Sequence, residues 1–159
     1  MPEPDASPLI PAGEVITLSA RKISRETCLK FGYTSSTLRG QPVQVASYRN
    51  LAGEVCAQHI RGRDKSFSWR GAAKLENLQL WGRHLWRGEG RMVVITEGEI
   101  DCLTVSQLQG NKWPTVSLPS GAGSAIRAVK ANLDWLQGFE RVVLMLDMDE
   151  PGRKAAREA

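Results

Sequence analysis

The chain has 159 residues, of which 42% are hydrophobic and 24% are charged, and its formal net charge is +4. This composition is typical of one or two small globular domains and argues against general disorder. No stretch of eighteen apolar residues occurs and no basic segment leads into an apolar run, so we expect a cytoplasmic protein without a membrane span. The three cysteines are widely spaced and form no C-x-x-C pair for zinc.

Charge is distributed unevenly along the chain. Prolines at positions 2, 4, 8 and 11 interrupt the beginning, where we expect a flexible tail over residues 1–15. The first 90 residues carry thirteen Lys and Arg against eight Asp and Glu, whereas residues 91–159 carry eight against nine. We therefore expect a basic subdomain over residues 16–90 that holds polyanions, and a domain over residues 91–159 that holds cations, with a hinge at residues 88–90 (GEG).

Local signals in the first half predict a small α+β subdomain. Ser24 can cap a helix over residues 25–31, and Gly32 can end it. Residues 43–49 and 54–61 have strand character, and the segment 50–53 (NLAG) between them is typical of a hairpin loop.

The second half alternates short apolar strands with helices. Strands are predicted over residues 92–96, 115–118 and 142–146, and helices over 101–109, from a Ser124 cap to about 136, and from Gly152 onward. This alternation favours an α/β fold with a parallel sheet and helices on both of its faces.

Three acidic residues follow two of the predicted strands. Glu97 comes after strand 92–96, and Asp147 and Asp149 come after strand 142–146. Because ligands of parallel sheets collect at the carboxyl ends of the strands, we expect these acids to meet there. Clustered carboxylates repel one another unless a cation neutralises them, and hard oxygen ligands suit Mg²⁺ or Mn²⁺. The alternative is that the acids cap the following helices or lie in solvent.

A basic segment with interleaved aromatic residues lies at 61–70 (RGRDKSFSWR). Its cations can hold a triphosphate or a nucleic-acid backbone, and Phe67 or Trp69 can offer a stacking face for a base. The alternative is a solvated charged hairpin with a tryptophan in the core. His84, between Trp81 and Trp86, is either a half-buried structural histidine or a nucleotide contact.

Beyond these patterns, two motifs resemble a known signature. Residues 96–101 (TEGEID) and 146–155 (LDMDEPGRKA) resemble the Toprim signature of primases, topoisomerases and some nucleases. Together with residues 23–28, 82–86 and 117–122, they resemble the primase half of T7-like phage primase–helicases. The resemblance implies a Rossmann-like parallel Toprim sheet with flanking helices, preceded by a small α+β basic subdomain. It also implies a DNA primase, a nucleotidyltransferase that makes short RNA primers on single-stranded DNA in phage replication.

The resemblance assigns roles to particular residues. Glu97 would act as general base or metal-linked carboxylate, Asp147 and Asp149 would hold Mg²⁺ or Mn²⁺ together with Glu97, and Asp101 would support the cluster. The residues implied for nucleotide or template binding are Arg61, Arg63, Lys65, Trp69 and His84. Partners would be the template, ribonucleoside triphosphates, a replicative helicase and a DNA polymerase.

Several features depart from that family. The sequence contains no Cys₄ zinc module and no Walker loop, and His59 stands where a lysine is expected. The family's sheet continues beyond the position of Ala159 with a further strand and acidic motif, so we expect an incomplete Toprim domain that could be inactive alone. A catalytically silent single-stranded DNA-binding fragment and a Toprim nuclease are the alternatives. Type IA topoisomerases need a nucleophilic tyrosine, and the two tyrosines, Tyr33 and Tyr48, precede the acids without a supporting pattern.

Overall fold

The structure, a computed structural model, describes residues 7–11 and 13–159, and the chain divides into two compact units, residues 1–75 and 76–159. Within the described residues, no helix combines the length and the apolar character that a bilayer crossing requires. The α/β fold class predicted from the sequence is confirmed, and each unit contains its own sheet.

The first unit contains an antiparallel sheet in the order β1-β2-β3-β4. Its strands are β1 (Thr34–Leu38), β2 (Gln41–Arg49), β3 (Val55–Gly62) and β4 (Phe67–Arg70). The predicted strands 43–49 and 54–61 correspond to β2 and β3. Strands β1 and β4 were not predicted, because β1 is polar and β4 lies in the basic segment, so neither shows the apolar alternation that marks a strand. They form by pairing with β2 and β3.

One short helix, α1 (Arg25–Phe31), precedes this sheet, with the predicted ends. The Ser24 hydroxyl accepts a hydrogen bond from the Thr27 backbone N–H at 3.2 Å, and Gly32 ends the helix with a φ of 68°. Both signals are local, which is why the sequence predicts this helix correctly.

The predicted tail over residues 1–15 lies partly outside the described residues. In its described part, the Gln58 side chain bonds Ile10 on both sides, accepting from the backbone N–H at 2.8 Å and donating to the carbonyl at 3.0 Å. Glu14 also forms a β-bridge with Ser35. The flexible-tail prediction is therefore corrected for these residues, because hydrogen bonds attach them to the sheet.

The second unit contains a parallel sheet in the order β6-β5-β7, formed by β5 (Gly90–Thr96), β6 (Thr115–Ser117) and β7 (Phe139–Met145). Its helices are α2 (Glu99–Leu108), α3 (Ala125–Ala131), α4 (Leu133–Leu136) and α5 (Glu150–Glu158). Apolar side chains of the strands and helices share one core, which includes Val93, Ile95, Val116, Leu118, Ala128, Trp135, Phe139 and Ala155. Burial of this core stabilises the sheet that carries the acids.

The predicted helix from Ser124 to residue 136 is interrupted. A 3₁₀ turn at Ala122–Ser124 precedes α3, and the Ser124 hydroxyl donates to the Gly121 carbonyl at 2.8 Å instead of capping the helix. Asn132 separates α3 from α4, because its buried side chain accepts from the Leu80 backbone N–H and donates to the Ala128 carbonyl.

The boundary between the units differs from the predicted hinge at residues 88–90. Residues 76–90 belong to the second unit, in which Trp81 forms a β-bridge with Ser117 and the Gly90 backbone N–H donates to the Gly138 carbonyl at 3.1 Å. A Cβ on Gly138 would lie 1.7 Å from the Gly88 carbonyl oxygen. The absence of a side chain at Gly138 therefore permits close packing of two backbone segments of the second unit. The boundary between the units lies at Leu75/Glu76, before the predicted hinge.

Candidate catalytic site

Glu97 directly follows the last residue of β5, at the carboxyl edge of the parallel sheet. Thr96 is fully buried, and its hydroxyl lies 3.0 Å from the Gly98 carbonyl oxygen and 3.2 Å from that of Val116, on the neighbouring strand. These hydrogen bonds hold the turn that carries Glu97 against β6. Thr96 was not among the predicted site residues, although a polar residue at the end of an apolar strand is a signal of such a role.

Asp147 and Asp149 follow β7, which pairs with β5 in parallel up to Thr96 and Met145. The side chain of Asp147 forms a hydrogen bond with the Glu97 carboxyl group, and Asp149 lies near enough to act on Glu97 electrostatically. The structure thus brings together the three acids that the sequence singled out. Their roles in metal binding and catalysis stay predictions.

The environment of Glu97 raises its pKa from 4.5 to about 7. Burial is the main cause, followed by the hydrogen bond to the Asp147 side chain and the negative charges of Asp147 and Asp149, while the Asp147 backbone N–H acts in the opposite direction. One carboxyl oxygen of Glu97, Oε1, is buried without a hydrogen-bond partner. Such a group needs either a proton or a cation nearby.

Asp149 has a structural role in addition to its place near Glu97. Its Oδ1 accepts a hydrogen bond from the Gly152 backbone N–H at 2.8 Å and so caps α5. The alternative considered above, that an acid caps the following helix, therefore holds for this oxygen of Asp149. A carboxylate has two oxygens, so the capping bond leaves Oδ2 for other contacts.

Gly152 allows the first turn of α5 to approach the acids closely. A Cβ at this position would lie 2.0 Å from the Asp147 carbonyl oxygen and 3.0 Å from the Asp149 Oδ1 atom. Arg153 adds a second tie, because its guanidinium donates to the Met148 carbonyl at 2.8 Å. Gly152 was predicted only as the beginning of a helix, since local signals do not reveal a contact with Asp147.

The acids fit a divalent cation in their chemistry, although they do not form a complete ligand set. In the part of the chain that the structure describes, no group of three or more His, Cys, Asp or Glu side chains is arranged to hold a metal ion. The pair Glu97 and Asp147, however, includes a buried carboxyl oxygen without a partner. Mg²⁺ commonly takes one or two carboxylates and completes its coordination with water and substrate phosphates, so the pair fits that mode.

Two other residues predicted for the site, Asp101 and His84, also belong to the second unit. Asp101 is exposed in the first turn of α2, where a Cβ on Gly98 would lie 3.7 Å from its Oδ2 atom. Gly98 has a φ of −137°, which any residue adopts, so the fold leaves open space there rather than requiring a glycine. His84 is exposed in a 3₁₀ turn, Arg83–Leu85. The supporting role of Asp101 and a nucleotide contact of His84 stay predictions.

The basic segment of the first unit carries a stack of rings. The ring of His59 lies 4.4 Å from that of Trp69 and 5.2 Å from that of Phe67, and Arg61 lies 5.5 Å from the Phe67 centroid. Trp69 is only 4% exposed, whereas Phe67 is 51% exposed. The prediction that Trp69 offers a face to a base is corrected, because Trp69 is buried in the stack, and Phe67 with Arg61 forms its accessible end.

A tight turn between β3 and β4 presents Arg63 and Lys65 to solvent. The Gly62 backbone N–H donates to the Ser66 carbonyl at 2.9 Å, and the Asp64 carboxylate accepts from the Ser66 backbone N–H at 3.2 Å. Hydrogen bonds from the Ser66 hydroxyl and backbone lower the pKa of Asp64. Lys65 has a φ of 61°, in the left-handed region that non-glycine residues seldom adopt.

Comparisons with known proteins agree with this architecture. Residues 13–71 match the family model described as the bacteriophage T7 DNA helicase/primase N-terminal a+b fold, and residues 94–159 match the Toprim-like family model. The DNA helicase/primase of Enterobacteria phage T3 is 46% identical over 147 residues, which are 92% of this chain and 25% of that protein. The chain therefore spans about a quarter of the length of this curated relative.

Solved structures give the same assignment. The primase fragment of the bacteriophage T7 primase-helicase protein has a TM-score of 0.91 and 43% identity, over 98% of this chain and 66% of that one. A second match has a TM-score of 0.85 and 46% identity, over 92% of this chain and 74% of that one. It belongs to the structure of bacteriophage T7 lagging-strand DNA polymerase interacting with primase domains of two gp4 subunits bound to an RNA/DNA hybrid and dTTP. The resemblance inferred from the sequence is confirmed, and the chain belongs to the T7-type phage helicase/primase family, of which it comprises primase sequence with a Toprim fold.

Proposed function

We propose that this chain is the catalytic part of a DNA primase, a nucleotidyltransferase that joins ribonucleotides into short RNA primers on a single-stranded DNA template. The observation that carries the proposal is the convergence of Glu97, Asp147 and Asp149 at the carboxyl edge of the sheet, where the paired strands β5 and β7 end. Membership of the T7-type family and the likeness to the T7 primase fragment support it.

Glu97 is proposed as the general base. A carboxyl group with a pKa of about 7 exchanges protons near neutral pH, which suits a base that takes the proton of an attacking 3′-hydroxyl. The freed 3′-oxygen forms a bond to the α-phosphorus, and the bond to the pyrophosphate leaving group breaks. The negative charges of Asp147 and Asp149 favour the protonated form of Glu97 and so strengthen it as a proton acceptor.

Glu97, Asp147 and Asp149 are proposed to hold Mg²⁺ or Mn²⁺, with Asp101 as a supporting acid. A bound divalent ion stabilises negative charge on the attacking and leaving oxygens of such a transfer. The cap that Asp149 forms on α5 fixes the position of its carboxylate for this role.

The basic first unit is proposed to bind nucleotide and template. Arg61, Arg63 and Lys65 offer cations for phosphates. Of the two rings that the sequence offered for stacking, Phe67 and Trp69, the exposed Phe67 is proposed for that role. We also propose a nucleotide contact for His84. The solved T7 complex contains a DNA polymerase and an RNA/DNA hybrid, which supports a DNA polymerase as a partner. The T3 relative is a DNA helicase/primase, which supports a replicative helicase as a second partner. We also propose a location in the host cytoplasm.

The test is a primer-synthesis assay with single-stranded DNA, labelled ribonucleoside triphosphates and Mg²⁺ or Mn²⁺. We expect di- to tetranucleotide products that Glu97→Gln and Asp147→Asn abolish and that the exposed control Glu158→Gln leaves unchanged. Binding of Mn²⁺ is measured in parallel by calorimetry, since it should weaken in both acid variants and not in the control.

Two outcomes would replace this proposal. Metal-dependent shortening of the DNA, lost in Glu97→Gln, would indicate a Toprim nuclease that activates water in place of a 3′-hydroxyl. DNA binding without product or Mn²⁺ binding, unchanged in Asp147→Asn, would indicate a catalytically silent DNA-binding fragment.

A further inference from the structure

A cleft of about 840 Å³ lies in the second unit, at the edge of the sheet opposite to the acids. It is lined by the first residues of β5, including Gly90 and Met92, by Pro114 before β6, and by Arg141 near the beginning of β7. In a parallel sheet all these positions lie at the amino ends of the strands. The cleft is therefore built by the same strands that carry Glu97 at their other ends.

The length of β5 separates the cleft from the candidate catalytic site. Glu97 is six residues further along the chain than Arg91, which lines the cleft. A strand rises about 3.3 Å per residue, so the two positions are about 20 Å apart. A nucleotide that reacts beside Glu97 cannot fill this cleft at the same time. The cleft is a separate feature that the proposed catalytic function does not use.

Cations and indole rings dominate the lining of the cleft. The side chains that carry this chemistry are Arg87, Arg91, Lys112, Arg141, Trp86 and Trp113. In the described part of the chain the four cations form no ion pair, so their charges are available to a ligand. Glu89 and Glu140 also line the cleft and leave it with a net positive charge.

The backbone around the exposed indole is held in place. Trp113 is 61% exposed, and its carbonyl accepts a hydrogen bond from the Thr115 hydroxyl at 3.1 Å. The preceding turn is fixed because the Asn111 backbone N–H donates to the Ser106 carbonyl at 2.8 Å. Trp86 is fixed by its indole N–H, which donates to the Thr115 carbonyl at 3.0 Å. Binding therefore orders little backbone.

We propose that this cleft binds single-stranded nucleic acid, with phosphates on the cations and a base stacked on Trp113. An exposed planar ring among guanidinium groups is the arrangement that single-strand-binding proteins use without sequence preference. An acidic protein segment would use the cations but leaves the large exposed indole without a function, so nucleic acid is favoured. The proposal concerns binding alone and does not need the chemistry proposed for Glu97.

The test is fluorescence anisotropy with the intact chain and an oligomer of about 15 deoxythymidines. This length is near the upper limit of the number of nucleotides that one OB fold of a single-strand-binding protein covers, about 16. Trp113→Ala should weaken binding about 5- to 150-fold, and Trp113→Phe should retain most of the affinity, because both aromatic rings stack with bases. An abasic oligomer of equal length should bind the wild-type chain more weakly than the deoxythymidine oligomer does. Because it has no base to stack, its affinity should fall little further when Trp113 is replaced by alanine.

The cations are tested by the double variant Arg91→Ala/Arg141→Ala. It should reduce the slope of log affinity against log salt concentration by about 1.4, since each lost phosphate contact on a single strand contributes about 0.7. The exposed control Arg127→Ala on α3 should leave binding unchanged. Glu97→Gln should also bind normally, so failure of the proposed catalysis is distinguishable from failure of this site.

Equal affinity of Trp113→Ala, the double variant and Arg127→Ala for the oligomer would overturn the proposal. Tighter binding of polyglutamate than of the deoxythymidine oligomer would also overturn it, because it would indicate a site for acidic protein segments.

Discussion

The side chains of Glu97 and Asp147, fifty positions apart in the sequence, form a hydrogen bond at the carboxyl edge of the parallel sheet. Two carboxyl groups can bond in this way only when one of them carries a proton. The pair therefore retains a proton under conditions in which an exposed glutamate has lost it. The state of the pair therefore links pH and stability, and the divalent cation proposed above would replace that proton.

The first prediction concerns stability against pH in EDTA. Folding raises the pKa of Glu97 from 4.5 to about 7, so the folded protein keeps a proton that the unfolded chain has released. The free energy of unfolding should therefore fall as the pH rises between about 4.5 and 7. Glu97→Gln cannot ionise, so above pH 7 it should be more stable than the wild type. We expect a difference of about 1–2 kcal/mol, which is less than the free energy that the whole pKa shift would give, because solvent screens the interactions of this half-exposed side chain.

Urea denaturation of both proteins at several pH values, with Glu158→Gln as a control, measures this difference. The two proteins should have similar stability below pH 4.5, where Glu97 is protonated in both states. A stability difference that does not change with pH would contradict the assignment of the raised pKa to Glu97. Addition of Mg²⁺ should reverse the order by stabilising the wild type.

The second prediction separates the two roles of Asp149. Asparagine caps helices about as well as aspartate, so Asp149→Asn should keep the bond to the Gly152 backbone N–H and lose little stability. Asp149→Ala loses the cap and should cost about 1 kcal/mol. Both variants lack the carboxylate, and we expect both to lose primer synthesis, as measured beside their urea denaturation midpoints. Full activity in Asp149→Asn would restrict Asp149 to the cap.

Sequence signals predicted the elements whose causes are local. Ser24 and Gly32 define α1 within one short segment, and the apolar strands beside Glu97 and Asp147 define the edge at which the acids meet. The sequence left open whether Trp69 is buried or exposed, and it did not predict the break of the long helix at Asn132. Both depend on contacts outside the local segment, because Trp69 pairs with His59 on the neighbouring strand and the Asn132 side chain accepts from the Leu80 backbone N–H, 52 residues away. Such contacts cannot be predicted from the local sequence pattern alone.

A third prediction uses the unusual backbone of Lys65. Its φ of 61° is unfavourable for a residue with a side chain, and glycine adopts it readily. Lys65→Gly should therefore leave the thermal midpoint unchanged or slightly raised, whereas Lys65→Arg should keep the charge and the backbone cost. If Lys65 binds triphosphate or template, Lys65→Gly should raise the KM for ribonucleotides or the Kd for DNA, and Lys65→Arg should do so less. Normal values of both in Lys65→Gly would assign the residue to the turn alone.

The fourth prediction concerns the approach of α5 to the acids. A Cβ at Gly152 would lie 2.0 Å from the Asp147 carbonyl oxygen, and that contact is with backbone, which cannot turn away as a flexible side chain can. Gly152→Ala should therefore displace Asp147 or the first turn of α5 and cost about 1–3 kcal/mol. The matched control is Gly123→Ala, because a Cβ at Gly123 meets nothing within 4 Å.

Urea denaturation should show a lower midpoint for Gly152→Ala and little change for Gly123→Ala. The displacement should also weaken the bond between Asp147 and Glu97, so the fall in stability between pH 4.5 and 7 should become shallower in Gly152→Ala. An unchanged pH dependence with a lowered midpoint would mean that α5 moves as a whole and leaves the carboxyl pair intact. In that case Gly152 would stabilise the helix without positioning the acids.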